Sequence, residues 1–598
     1  MKVIKRDGRV VQFDRKKILN AITRSFADVD GTVNDADAAI AEKITAKIER
    51  LGEELDEMTV EDIQDKVERE LQKSSRKDVA KNYILYRDKR SRERAWRDDL
   101  TKLMTEKLEA SNVQNQNANL DEHSFGGRRQ EATNAFMKQY ALDYCMSEKS
   151  REHHLNNEIY IHDLDFYAVG AHNCLSIPFD KLLATGVKVG TNTIRPAGSV
   201  NTACQLVAVI MQIQSQFQFG GVSATHIDWT MVPYIRKSFW RHYCDGMKYF
   251  GEGKFPPVNK EHRTEVSIND ERYTQNERCH QYAIDMTERE IHQAVEALYH
   301  NLNTLMSRPG NQVPFSSINY GTCTEPEGRM FTQALLEVSI EGIGINHKTS
   351  IFPCGIFQMK KGVNREPGDP NYDLYRLALK STSTRLYPNY VNCDWSNNAG
   401  YDPEDPKTWM STMGCRTSNG FDINGLGQLK DGRGNICPVT IILPTIAKQA
   451  LDEFNNLPWG GSEGDLFEMF MERLDHMIFE AKDMLLERFY WIAKQSPDSA
   501  KFMYENGTME GYVPEEGIIS ALKHGTIVIG QLGLAECLQC MFGYDHTDKR
   551  GMEYAKQIEA LFNKRCAEFK KEYSLNFGVY YTPESVGAST AMWNEKIG

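Results

Sequence analysis

Residues 311–322 read NQVPFSSINYGT, a short apolar run that ends at a glycine. A run of this length and composition predicts a strand buried on both faces. CPVTIILPTIA (437–447) is a second stretch of the same kind, while 294–306 and 465–494 have the periodicity of long helices. Because such strands and helices alternate from about residue 100 onward, the sequence predicts an α/β architecture with a parallel component, either a barrel or an open sheet.

Length and composition limit the class of protein. The chain has 598 residues, more than one hydrophobic core accommodates, so at least two domains are expected. Its formal net charge of -12 argues against a protein whose main task is to bind nucleic acid. No run approaches the ~20 apolar residues of a membrane span, and the N-terminus lacks a secretory signal. We therefore expect a cytoplasmic protein with neither nucleic acid nor membrane as a partner.

The familiar catalytic motifs are absent. No G-x-G-x-x-G follows a predicted strand, and no P-loop, H-E-x-x-H or G-x-S-x-G motif is present. The remaining chemistry lies in thiols, since the chain has 13 cysteines. An odd number of widely spaced cysteines does not indicate a secreted disulfide framework. Cys537 and Cys540 form a C-x-x-C pair, which we interpret as part of a buried helix.

The first 95 residues differ in pattern from the rest. VIKRDGRVVQF (3–13) predicts a β-hairpin that turns at Asp7-Gly8, and four helical patterns follow, at 15–29, 35–51, 60–74 and 78–96. Cations are concentrated at the start of this segment: Lys2, Lys5, Arg6, Arg9, Arg15, Lys16 and Lys17. By composition alone, a polyphosphate site and a solvated basic face are equally good interpretations.

The order of residues in this segment favours the polyphosphate site. VIKRDGR (3–9), the F-D-x-x-K-I pattern that follows it and AKNYILYR (80–87) resemble the ATP-cone, a regulatory module that binds ATP and dATP as allosteric effectors. The resemblance covers residues 1–95 and implies a small, mainly helical domain with a β-hairpin cap. It further implies two groups of nucleotide-binding residues: Lys5, Arg6 and Lys17 at the phosphates, and Thr59, Ile63 and Arg90 near the rest of the nucleotide. Because ATP-cones also occur in a transcriptional repressor, the cone alone does not indicate an enzyme.

Residues 96–598 carry a second resemblance. HNCLSIPFDKLLATGVKVG (172–190), QFQFGGVSA (216–224), VPFSSINYGT (313–322), TMGCR (412–416) and YYTPES (580–585) follow the order found in class III anaerobic ribonucleotide reductases. That family reduces ribonucleoside triphosphates to deoxyribonucleoside triphosphates by thiyl-radical chemistry. The resemblance implies a ten-stranded α/β barrel of the glycyl radical enzyme type, built from two antiparallel halves, with a finger loop near residue 415.

The same resemblance assigns individual roles. Cys415, at the tip of the finger loop, matches the cysteine that becomes a thiyl radical, and Cys174 matches the second catalytic thiol. Met413 matches a methionine of formate-dependent members, which implies formate as the reductant. Thr582 and Ser585 lie in a turn that holds substrate phosphates, where a threonine N-cap followed by proline favours an anion site.

Some parts of the family pattern are missing. The family stores its radical on a C-terminal glycine in an R-x-x-G-Y-L segment, preceded by four zinc-binding cysteines, and neither occurs here. We expect both in a further C-terminal domain, together with a radical-SAM activating enzyme as partner. A homodimer is expected, with a higher oligomer as a further option when dATP is bound.

Two alternatives stay open. A glycyl radical enzyme of the pyruvate formate-lyase type shares the barrel, but it carries two adjacent finger-loop cysteines, whereas Arg416 follows Cys415. A catalytically inactive nucleotide-sensing scaffold agrees with the missing C-terminal motifs, but the retention of Cys174, Cys415 and Met413 opposes it.

Overall fold

The computed structural model describes residues 2–5, 9–55, 57–88, 90, 124–250, 253, 255–394, 401–414, 417–458 and 460–581. Two compact units, Met1–Glu106 and Lys107–Gly598, make up the chain. None of the helices in the described residues is long and apolar enough to cross a membrane.

The smaller unit is a three-stranded sheet with helices. Its described elements are β1 (Lys2–Ile4), β2 (Val10–Gln12), α1 (Arg15–Asp30), α2 (Asp35–Leu55), β3 (Glu57–Thr59), α3 (Val60–Lys73) and a helix α4 that includes residues 77–88. β1 and β2 form the predicted hairpin. The pattern did not indicate β3, which pairs parallel to β1, because three residues are too few to show a period.

Local signals fix the helix ends of this unit. The Asp14 carboxylate accepts a hydrogen bond from the N–H of Lys16 at the start of α1, and Gly31 ends the helix with a φ of 75°. Thr59 and Asp62 form a capping box at the start of α3, in which each side chain accepts a hydrogen bond from the other residue's N–H. The apolar faces of the helices meet in one core that includes Phe26 and Ile63.

The larger unit alternates strands and helices as predicted. Its strands are β4 (Ile159–Ile161), β5 (Cys174–Ser176), β6 (Val187–Val189), β7 (Asn192–Ile194), β8 (Val222–Ala224), β9 (Ser316–Tyr320), β10 (Cys354–Met359), β11 (Asn389–Asn392), β12 (Gly434–Ile442), β13 (Thr526–Leu532) and β14 (Asn576–Tyr581). Its α-helices are α5 (Phe125–Tyr144), α6 (Glu148–Leu155), α7 (Phe179–Thr185), α8 (Val200–Gln214), α9 (Ile227–Phe250), α10 (Glu271–Thr274), α11 (Glu277–Thr304), α12 (Pro326–Glu341), α13 (Tyr372–Arg385), α14 (Leu443–Asn455), α15 (Glu463–Ala493), α16 (Lys501–Glu505), α17 (Ile519–Leu522), α18 (Leu534–Phe542) and α19 (Lys549–Tyr573). Short helical turns lie at Leu164–Phe166, Pro406–Thr408 and Pro497–Ala500.

One curled mixed sheet organises this unit. Nine strands belong to it within the described residues, in the order β11-β10-β9-β8-β5-β12-β13-β14, with β4 paired to β12 beside β5. Neighbours are parallel from β11 to β5 and again from β12 to β14, but β5 and β12 are antiparallel. The α/β class and the two oppositely directed halves are therefore confirmed. We call the β5–β12 junction the seam.

The pattern around residue 440 was partly misread. β12 ends at Ile442, and residues 443–447, predicted as strand, form the first turn of α14. Pro444 lies in that first turn, where its missing N–H costs nothing. The apolar period alone did not separate the two because strand and first helical turn are both fully buried. The Cys537–Cys540 pair lies in helix α18, so the predicted helix is confirmed. Of the two thiols only Cys537 is buried, while Cys540 is partly exposed.

Order of the strands forces one long connection across the sheet. β11 is an edge strand and β12 is central, so the chain between them has to pass from the edge to the seam. We call residues 393–433 the finger loop. Loops of this length inside a compact domain usually serve a function.

A buried carboxylate fixes the end of β9. One oxygen of Asp228, in α9, accepts the backbone N–H groups of Gly321, Thr322 and Cys323 at 2.8, 3.0 and 2.9 Å. Asp228 is completely buried, so these three N–H groups have no solvent alternative.

We expect Asp228→Ala to lower the free energy of unfolding by at least ~3 kcal/mol, because three buried N–H groups lose their acceptor. Asp228→Asn keeps one acceptor oxygen and should cost clearly less. Guanidinium titration of both variants measures the difference. Equal losses of unfolding free energy in Asp228→Ala and Asp228→Asn would show that the carboxylate does not fix this turn.

Candidate active site

Cys174 lies at the seam, at the first position of β5. It is paired with Asn435 of β12, and its side chain is buried. The N–H of Gly221 donates to Cys174 Sγ at 3.2 Å, and the thiol lies 3.3 Å from the acceptor Oδ1 of Asn173. A Cβ at Gly220 would approach Cys174 Sγ to 2.7 Å, so only glycine permits this close contact. The predicted catalytic thiol is therefore held in one position.

Asn435 is the most informative residue that the sequence did not indicate. Its side chain is 1% exposed, and neither its Oδ1 nor its Nδ2 has a hydrogen-bond partner in the described part of the chain. A buried amide without partners costs roughly 1–3 kcal/mol for each unsatisfied group. A cost of this kind, at the residue that pairs directly with Cys174, indicates a polar ligand at the seam.

The finger loop enters the sheet's interior along residues 410–414, which we call the ascending arm. Four side chains from three strands bind its backbone: Ser223 of β8, Ser317 and Asn319 of β9, and Gln358 of β10. β8 lies next to β5 of the seam, and β9 and β10 follow it in the sheet. All four side chains are fully buried, which indicates a prepared docking surface.

Met413, the predicted marker of formate dependence, lies at the top of the ascending arm. Its side chain is 2% exposed, and the amide nitrogen of Asn419 lies 3.7 Å from its sulfur. Its N–H donates to the carbonyl oxygen of Thr417 at 2.6 Å, so the ascending arm pairs with the start of the segment that follows Cys415 and Arg416 in the sequence. Cys415 itself lies outside the described residues, as do Thr582, Ser585 and Arg6.

One aromatic ring connects the two thiol-bearing segments. A Cβ built on Gly221 would lie 2.8 Å from the ring of Phe315, and one on Gly414 would lie 3.0 Å from the same ring. Gly221 donates to Cys174, and Gly414 directly precedes Cys415. The described residues thus bring the start of β5 and the ascending arm to one place in the sheet's interior.

A cluster of charges holds the base of the finger loop. We call Asp180, His226, Lys407 and Asp431 the base cluster. His226 Nε2 lies 3.2 Å from Asp180 and 3.9 Å from Asp431, and Lys407 Nζ lies 3.1 Å from Asp180. Because Lys407 precedes the ascending arm and Asp431 lies near the end of the loop, the cluster joins the segments on both sides of the arm to α7 and to the turn after β8.

Burial and charge compete at this cluster. Burial by itself disfavours the charged imidazole, but the carboxylates of Asp431 and Asp180 outweigh it and raise the pKa of His226 to about 9. Burial raises the pKa of Asp431 to about 6 although His226 opposes it. Asp180 is less buried than Asp431. Burial raises the pKa of Asp180 too, but the charge of His226 outweighs this and lowers the pKa of Asp180 below its ordinary value. At neutral pH, His226 is therefore held in its charged form.

The smaller unit contains a cavity of about 390 Å³ between α1, α3 and α4. Lys17 and Arg90, two of the predicted nucleotide-binding residues, line it together with Arg24, Arg87 and Gln64. Arg87 already pairs with Glu61, Asp65 and Glu68, so Lys17, 78% exposed, is the more accessible cation.

The other predicted residues of this unit lie outside the cavity lining. Thr59 caps α3, and Ile63 is buried in the core next to Gln64. The N–H of Lys5 donates to the carbonyl oxygen of Arg9 at 2.8 Å across the hairpin. The structure thus brings Lys17 and Arg90 together at the cavity and leaves Lys5, Thr59 and Ile63 outside its lining.

No cluster of side chains that could bind a metal ion is present in the part of the chain that the structure describes. None of its His, Cys, Asp and Glu side chains form a set of three or more that could hold an ion.

The larger unit has a curled α/β sheet, a buried thiol at an antiparallel seam and a loop docked in the interior of the sheet. These features agree with the glycyl radical enzyme type expected from the sequence. The family model for anaerobic ribonucleoside-triphosphate reductases matches residues 116–597, and the model for the ATP cone domain matches residues 1–92. The chain therefore belongs to the anaerobic ribonucleoside-triphosphate reductases, which are oxidoreductases, and carries an N-terminal ATP-cone.

Individual relatives agree with this assignment. The anaerobic ribonucleoside-triphosphate reductase of Haemophilus influenzae is 29% identical over 591 residues, 97% of this chain and 76% of the relative. The enzyme of Escherichia coli is 28% identical with the same coverage. The crystal structure of the Thermotoga maritima anaerobic ribonucleotide reductase with citrate in the active site matches with a TM-score of 0.54 at 15% identity, over 83% of this chain and 80% of that chain. At this identity, the structural match supports the fold alone.

The base cluster predicts a pH dependence of stability. The pKa of His226 is higher in the folded protein than its ordinary value of 6.5, so its contribution to stability is complete below about pH 6.5 and is lost as the pH rises through about 9. Between pH 7 and 9.5, wild type should lose on the order of 2–3 kcal/mol more than His226→Gln, which does not titrate. Guanidinium unfolding at several pH values measures both slopes. Parallel slopes for the two proteins would contradict a charged His226.

Proposed function

We propose that the chain reduces ribonucleoside triphosphates by thiol-radical chemistry, with the ribose held at the seam between Cys174 and the finger-loop cysteine Cys415. The observation that carries this proposal is the buried amide of Asn435, which has no partner in the described residues and is paired in register with Cys174. A ribose hydroxyl at the seam would supply the donor and acceptor that this amide lacks. The names of the relatives support the same substrate class.

The chemistry explains why two thiols are needed. Hydroxide is a poor leaving group, so the 2′-oxygen is removed only after the 3′-hydrogen is gone. A thiyl radical on Cys415 takes that hydrogen, forming an S–H bond as the C3′–H bond breaks. Cys174, on the other face, gives a proton to the departing 2′-oxygen, which leaves as water. C2′ then gains a hydrogen in its place, with the two electrons supplied by formate as its C–H bond breaks to give carbon dioxide. Return of the hydrogen from Cys415 to C3′ restores the thiyl radical, and burial protects it.

Formate is the proposed reductant. Ribonucleotide, formate and a proton give deoxyribonucleotide, carbon dioxide and water, so the two electrons balance. Met413 supports this choice, because it is buried beside the loop tip and matches formate-dependent members of the family.

Several proposed components lie outside the described residues. A glycyl radical in a further C-terminal domain, which also binds zinc, supplies the unpaired electron after activation by a radical-SAM enzyme. Thr582 and Ser585 follow the end of β14 and would hold substrate phosphates. The oligomer proposed is a homodimer, and dATP favours a larger assembly.

The smaller unit is the proposed activity switch. Its cavity is lined by several cations, which suits a triphosphate, and ATP and dATP would compete for it with opposite effects on turnover. An effector shifts such an equilibrium only by its different affinity for two arrangements, typically ~1–3 kcal/mol.

The central assignment is tested with the full-length, radical-loaded protein under anaerobic conditions, using isotopically labelled formate. We expect labelled carbon dioxide and deoxynucleotide in equal amounts from wild type, and neither from Cys415→Ala, which should still bind ribonucleotide within a few-fold. Cys204→Ala, a buried thiol of α8, is the matched control and should stay active. Turnover by Cys415→Ala would refute the radical assignment. Activity with thioredoxin but not with formate would refute the reductant.

The effector site is tested by dATP titration calorimetry on the intact chain. The double variant Lys17→Ala/Arg90→Ala should weaken dATP binding at least about tenfold, since charge-assisted hydrogen bonds to phosphate are lost. Lys43→Ala, an exposed lysine of α2 outside the cavity lining, should bind as wild type does. Unchanged affinity in the double variant would place the effector elsewhere.

A further inference from the structure

Asn319 of β9 binds a single residue of the ascending arm by two hydrogen bonds. The N–H of Thr412 donates to Asn319 Oδ1 at 3.0 Å, and Asn319 Nδ2 donates to the carbonyl oxygen of Thr412 at 2.9 Å. A primary amide presents one acceptor and donors in the same plane as a peptide group does. Asn319 therefore pairs with Thr412 as a neighbouring strand would.

The contacts on either side repeat at every second residue of the arm. Gln358 Nε2 donates to the carbonyl oxygen of Met410 at 2.8 Å, and the N–H of Gly414 donates to Ser317 Oγ at 3.0 Å. Ser223 Oγ adds a bond of 3.0 Å to the carbonyl oxygen of Thr412. Side chains of the sheet thus bind the backbone of residues 410, 412 and 414 as a partner strand would.

Asn319 occupies the centre of this arrangement. It is 0% exposed, and its Nδ2 also donates to the carbonyl oxygen of Ala224 at 2.9 Å, so the amide connects β8, β9 and the arm. Among the docking side chains, its amide alone binds both backbone groups of one arm residue within the described part of the chain. A slip of the arm by one residue would leave this buried amide facing the wrong groups, which costs roughly 1–3 kcal/mol for each group.

We propose that Asn319 is a positioning residue that fixes the register of Thr412, and so sets how far the segment before Cys415 reaches into the sheet. Its effect on turnover rests on the proposed function, because it acts through the finger-loop cysteine. Its effect on the arm itself does not depend on that function.

The matched pair of variants is Asn319→Leu and Asn371→Leu. Asn371 is also 0% exposed, and its amide donates to the carbonyl oxygens of Gly321 and Cys323, away from the arm. Both variants remove a buried amide of the same size, so both lower global stability. A difference between them therefore reports on the arm.

The first measurement is hydrogen exchange of the peptide that covers residues 410–414 in the intact chain. Exchange should become about tenfold faster in Asn319→Leu, because losing two hydrogen bonds makes local opening easier by roughly that factor, and it should change less than twofold in Asn371→Leu. Unchanged exchange in Asn319→Leu, or equal acceleration in both variants, would overturn the proposal.

The second measurement is turnover of the full-length, radical-loaded protein. In Asn319→Leu we expect kcat to fall about 100-fold, as for a misplacement near 1 Å, while KM stays within about threefold. Equal falls of kcat in Asn319→Leu and Asn371→Leu would contradict a positioning role. Faster exchange in the arm with normal kcat would support Asn319 as the register-setting residue and instead refute the catalytic assignment of Cys415.

Discussion

The antiparallel pairing of β5 with β12 is the constraint on which the rest of the larger unit depends. It joins two parallel half-sheets that run in opposite directions, and it puts Cys174 opposite Asn435. It also separates β11, at the edge, from β12, in the centre. The chain between them crosses the interior of the sheet, where Ser223, Ser317, Asn319 and Gln358 bind residues 410–414. Strand order and these contacts together bring the start of β5 and the ascending arm to one place.

A polar interior is the physical consequence of this crossing. The loop's backbone groups need partners where no water is available, and the strands supply Ser223, Ser317, Asn319 and Gln358 instead of apolar side chains. Paired charges of the base cluster bind the loop at Lys407 and Asp431. Asn435 is different, because neither Oδ1 nor Nδ2 of its amide has a partner within the described residues. Each docking side chain makes at least one hydrogen bond to the loop, whereas the amide at the seam is left for a ligand.

The sequence predicted elements that have strong local signals. The pairing of β1 with β2, the long helices and the strand within residues 311–322 are confirmed, because turn residues and apolar periods act over a few positions. Residues 443–447 were predicted wrongly as strand, since complete burial removes the period. Asn319 and Asn435 carry no local signal at all. Asn319 is informative because its partner, Thr412, lies about 90 residues away in the sequence. Asn435 is informative because its amide has no partner in the described residues. Only the folded chain shows either fact.

The central claim is that the seam holds the ribose between Cys174 and the finger loop. A crystal structure of the anaerobic protein with a bound ribonucleoside triphosphate measures this directly. The account predicts that Cys174 Sγ lies about 3.5 Å from the 2′ position of the ribose, the separation of reacting atoms, and that the Asn435 amide is hydrogen-bonded to a ribose hydroxyl. A nucleotide bound with its ribose away from the seam, and with the Asn435 amide still without a partner, would contradict it.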